Sequence, residues 1–85
     1  MEKLFFKMIG EYNTYSTLKE LTVMKIKHED GSLEDLARYN AFIEMSLNVL
    51  KDLSKALNIP IYHKNDNLDL YGYHIVYDRI STEGD

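Results

Sequence analysis

Between Leu33 and Leu57 the apolar residues recur at helical spacing, and neither Gly nor Pro interrupts them. At about 100° per residue, Leu36, Tyr39, Phe42, Ile43, Leu47, Val49, Leu50, Leu53 and Leu57 fall within an arc of roughly 160°. Glu34, Arg38, Glu44, Asn48, Lys51, Asp52 and Lys55 hold the opposite side. Ser32 is placed to cap the first turn through the amide of Asp35, Glu34 and Arg38 form an i, i+4 pair, and Asn58 with Pro60 supplies the stop. The pattern predicts one helix of about 25 residues, roughly 37 Å long. Its arc is wider than the roughly 100° stripe of an ordinary surface helix, so a sheet or a second chain has to cover more than one side of it.

Period-two patterns dominate elsewhere. Residues 3–9 place Leu4, Phe6 and Met8 on one face and are read as a strand ended by Gly10, and 11–17 has no apolar period and reads as a loop. Residues 21–28 point their apolar side chains all round a helical axis but alternate acceptably as a strand. Strands are further expected at 60–63 and 68–80, separated by a turn over the polar residues 64–67, with Gly72 as a bulge. The fold class is thus α+β: a long central helix, about 33–57, on a small antiparallel sheet of strands 3–9, 21–28, 60–63 and 68–80. The alternative is a mainly α fold with an N-terminal helical hairpin over 3–27.

The run 68–80 presents two different faces. Leu68, Leu70, Gly72, His74, Val76, Asp78 and Ile80 match the leucine-rich helix, which leaves Tyr71, Tyr73, Ile75 and Tyr77 as a candidate interaction surface, since tyrosine is enriched in interface cores.

A chain of 85 residues supports one core, expected over 1–80 with 81–85 as a frayed acidic tail. At that size burial is modest, and self-association adds apolar contact. Cysteine is absent, which excludes disulfides and thiolate metal sites. With no signal-peptide pattern and no apolar run long enough to span a bilayer, the composition points to a soluble cytoplasmic protein without membrane contact. A net charge of -4 and a pI near 5.3 argue against free nucleic acid as partner, because phosphate binding needs concentrated Lys and Arg.

Chemistry-bearing motifs are sparse. His28, His63 and His74 lack the mutual spacing of a metal site, and Asn65-Asp66-Asn67-Leu68-Asp69 fails as a calcium loop because Leu70 stands at its sixth position and Val76 at its twelfth. No catalytic residue, metal or cofactor is assigned. The leading expectation is a non-enzymatic protein-interaction or regulatory module that self-associates as a homodimer. The alternative is a small acidic inhibitor that covers a basic nucleic-acid or nucleotide groove on a larger protein, with Asp66, Asp69 and Asp78 standing in for phosphates. A third reading is a small-ligand binder or enzyme with a pocket around His74.

Overall fold

The computed structural model describes residues 1–84. The order of elements is helix α1 (Glu2–Lys27), helix α2 (Leu33–Leu57), strand β1 (Tyr62–Leu70) and strand β2 (Tyr73–Ser81). The class is α+β: two helices pack with a two-stranded antiparallel sheet.

α2 forms as its pattern predicts. The Ser32 hydroxyl accepts from the Asp35 amide at 3.2 Å, and Asn58 ends the helix in the left-handed conformation at φ 56°. One detail differs: Arg38 donates to Asp35, at 2.7 Å, instead of pairing with Glu34.

The expected strands at 3–9 and 21–28, and the loop between them, are instead one continuous helix. The physical reason is position. Both α2 and β2 pack on α1, so α1 needs apolar residues on two sides and cannot show a one-sided stripe. The Thr-rich middle is accommodated by hydroxyls that bond back one turn, Thr14 to the Gly10 carbonyl, Thr17 to Asn13 and Thr22 to Leu18. Gly10 does not end the helix. The N-terminal half is thus helical, as the alternative reading had it, but as a single helix that pairs with α2.

The C-terminal strands also shift. Residues 64–67 lie in the middle of β1, and the turn is Tyr71-Gly72, with φ of 51° and 82°. Two positive φ values in a two-residue loop make a type I′ hairpin turn, so Gly72 is a turn residue and not a bulge. Pairing runs without interruption from Tyr62↔Ser81 to Leu70↔Tyr73.

The core cluster is Phe5, Tyr12, Leu50 and Ile80, with Met8, Ile9, Ile43, Leu47 and Leu53 packed around it. Ring contacts between Tyr15 and Phe42, stacked at 4.9 Å, extend the α1–α2 seam. Ile75 and Leu21 are buried outside that cluster. Ile75 and Ile80 stand on opposite faces of β2, so hairpin twist turns one face inward near the turn and the other at the base. The hairpin runs along α1: Tyr73 meets His28 at 5.5 Å between ring centroids, while Ile80 meets Asn13. Fifteen helical steps and seven strand steps both span about 22 Å, so the two elements stay in step over this length.

Candidate functional site

Polar contacts concentrate where α1 meets the base of the hairpin. Asn13 lies against the outer edge of β2; its Oδ1 accepts from the Ile80 amide at 2.7 Å and its Nδ2 donates to the Ile80 carbonyl at 3.1 Å. The side-chain amide thereby takes the place that a third strand's peptide would take. From the preceding residue, the Tyr12 hydroxyl donates to Asp78 Oδ2 at 2.5 Å, and His63 Nδ1 lies 2.8 Å from the same oxygen. An ionised carboxylate only accepts, so His63 Nδ1 carries the hydrogen. Burial, then the hydrogen bond to Asp78 and its charge, push the Tyr12 phenol well above its ordinary value of 10. Tyr12 is thus held neutral as a donor. The arrangement clasps α1 to both strands and provides no activated nucleophile.

A second His–Asp pair, His74 Nδ1 to Asp69 Oδ1 at 2.8 Å, crosses the strands near the turn on the solvent side. His74 is therefore not in the core, where the alternation of 68–80 had put it. An open cleft of about 500 Å³ lies between the C-terminal half of α1 and the start of α2, lined by Leu21, Thr22, Lys25, Asp30, Asp35 and Tyr39. His74 is not part of it. Among the described residues no group of three or more His, Asp or Glu is gathered so as to hold a metal ion, and no helix is long and apolar enough to cross a membrane.

The four residues of the candidate interaction surface do not form one outward face. Ile75 is buried at 1% exposure, Tyr73 and Tyr77 are half-buried, and Tyr71 stands at the turn, 81% exposed, with Lys25 Nζ 5.7 Å from its ring centroid. Of the three acidic candidates, Asp78 holds Tyr12 and His63, Asp69 holds His74, and Asp66 Oδ1 accepts from the Asn67 amide at 2.9 Å.

Apolar side chains reach solvent elsewhere. Leu4 and Phe6 on α1, Leu33 and Met45 on α2, and Tyr62, Leu68 and Val76 on the hairpin are all exposed, while Phe42, Val49 and Leu53 on α2 are half-buried. Among the described residues the sheet stops at two strands, so no third strand pairs with the outer edge of β1.

Asn13 and Tyr12 are the structurally decisive residues that the pattern of the sequence did not single out. Tyr12 was readable as a large side chain able to pack on the core; Asn13 carried no signal, because its partner lies 67 positions away. Comparison with protein-family models, curated proteins and solved structures finds no match to this chain.

Proposed function

We propose that this chain is a non-enzymatic interaction module that self-associates and exerts its effect, regulatory in kind, through the assembled form. The observation that carries this reading is the imbalance of its apolar surface. Among the described residues six large apolar side chains are buried, whereas nine are exposed, and three of the exposed ones lie on the two-stranded hairpin outside its turn. A two-stranded sheet is marginal alone and gains most from added strands. The acidic-inhibitor alternative draws less support, since two of its three carboxylates, Asp69 and Asp78, each already hold a histidine within the chain.

Sedimentation velocity across a micromolar to millimolar concentration series tests this reading. A shift from monomer to dimer is expected. A sedimentation coefficient that stays monomeric over the whole series overturns it.

A further inference from the structure

The outward edge of β1 is defined by the hydrogen-bonding parity of the hairpin. Ile80 turns its N–H and C=O to Asn13, away from β1, so the pair His63↔Ile80 is not hydrogen-bonded across the hairpin. Alternation then points the N–H and C=O groups of His63, Asn65, Asn67 and Asp69 outward from β1. Of these, the Asn67 amide is taken up locally by Asp66 Oδ1. Among the described residues no third strand lies on this edge. α1 packs chiefly on β2, the strand away from this edge.

An antiparallel copy of the same strand can meet this edge only in registers that set outward groups against outward groups, which means registers centred on a residue. Centring on Lys64 or on Asp66 sets like charges face to face, which is destabilising. Centring on Asn67 sets Asp66 against Leu68. Centring on Asn65 sets Lys64 against Asp66 and Tyr62 against Leu68, each twice by symmetry. Lys64 is the single Lys or Arg of β1, and this is the one allowed register in which it faces an acidic residue. Tyr62 and Leu68, 40% and 38% exposed, are also the two large apolar side chains that β1 leaves to solvent. The run from Tyr62 to Leu68 is therefore self-complementary about Asn65 in both charge and apolar character.

We infer that β1 docks on β1 of a second copy of this chain, antiparallel and centred on Asn65, to form a four-stranded sheet with a helical pair at each end. This inference rests on the self-association proposed above and specifies its surface. About six backbone hydrogen bonds join the copies through His63, Asn65 and Asn67, with Asp66 released from the Asn67 amide to meet Lys64 of the other copy. The contact is isologous, as two-fold symmetry requires.

The test uses two charge reversals, Lys64→Asp and Asp66→Lys, each checked for helical content by circular dichroism. Each variant alone is expected to weaken dimerisation by about tenfold or more, since both cross-strand pairs turn repulsive. Mixed in equal amounts, K64D and D66K are expected to form a heterodimer at least as tight as the unsubstituted dimer. If the unsubstituted chain dimerises but neither reversal weakens it, or the mixture shows no preference for the heterodimer, the register is wrong while self-association stands. If the unsubstituted chain stays monomeric, both fail. The chain has no cysteine of its own, so a single Asn65→Cys substitution reports independently of the charge variants. N65C places two Cα atoms about 5.5 Å apart across the axis and is expected to form a disulfide-linked dimer under mild oxidation, whereas H63C is not. Equal cross-linking of the two overturns the register.

Discussion

Replacing Asn13 with alanine removes the clamp between α1 and the edge of β2, and the size of the effect follows from what Ile80 loses. Two hydrogen bonds disappear, one to the Ile80 amide and one from Asn13 to the Ile80 carbonyl, both in a part-buried setting. Each is worth about 1 kcal/mol net, and an amide or carbonyl left without a partner adds a further 1 kcal/mol or so if water does not reach it. Alanine is the better helix former and returns about 0.5 kcal/mol. The net loss is about 2–3 kcal/mol, a large share of the roughly 4–13 kcal/mol available to a domain of this size. Urea unfolding followed by circular dichroism measures it. With a slope of about 1 kcal/mol per molar for a small domain, the midpoint falls by about 2 M or more. Asn13→Asp separates the two bonds: it keeps an acceptor for the Ile80 amide but sets a carboxylate against the Ile80 carbonyl. It is expected to be destabilised at neutral pH and to regain part of the loss below pH of about 4, where the protonated acid can donate. An Asn13→Ala variant within about 0.5 kcal/mol of the parent refutes the clamp and leaves apolar packing of Ile75 and Ile80 to hold β2 in place.

Four further substitutions test separate parts of the architecture. Gly10 and Gly31 should respond in opposite directions to alanine: a Cβ at Gly10 meets nothing within 4 Å, whereas one at Gly31 lies 2.6 Å from the Ile26 backbone nitrogen. Thermal melts are expected to show a gain of about 0.5–1 kcal/mol for Gly10→Ala and a loss of about 2 kcal/mol for Gly31→Ala. Glu29 sits at φ 61° in the turn that closes α1, with its amide bonded to the Ile26 carbonyl and that of Asp30 to Lys25. Glu29→Gly should therefore stabilise by about 1 kcal/mol, read as a higher urea midpoint. Tyr12→Phe should cost about 1–2 kcal/mol at neutral pH through the lost bond to Asp78. Because the folded state holds the Tyr12 proton above its ordinary value of 10, that group's contribution is complete below pH 10 and is lost as pH rises beyond it. Stability of the parent should thus fall more steeply above pH 10 than that of Y12F, and parallel curves would contradict the assignment.

Where local chemistry decided the structure, the sequence could be read. Ser32, the one-sided apolar arc and Asn58 mark α2 at both ends, because a cap, a stripe and a left-handed stop are each written within a few residues of where they act. α1 was unreadable for the complementary reason: its apolar positions answer to α2 on one side and β2 on the other, and a helix covered on two sides has no single stripe. The hairpin was misplaced because the polar run 64–67 resembles a turn, although on an edge strand its side chains can remain in water. The true turn uses Tyr71 where Asn is the usual residue, which hid it. The contacts of Asn13 and Tyr12 join positions 67 and 66 residues apart, and no local pattern encodes them.

Hydrogen exchange at the β1 amides, followed by NMR from micromolar to millimolar chain concentration, tests self-association through this edge most directly. The amides of His63 and Asn65 point outward and should be unprotected when the chain is dilute, then gain protection as concentration rises, while those of Lys64 and Asp66, bonded to β2, should change little. Exchange at His63 and Asn65 that is fast and independent of concentration would contradict the account.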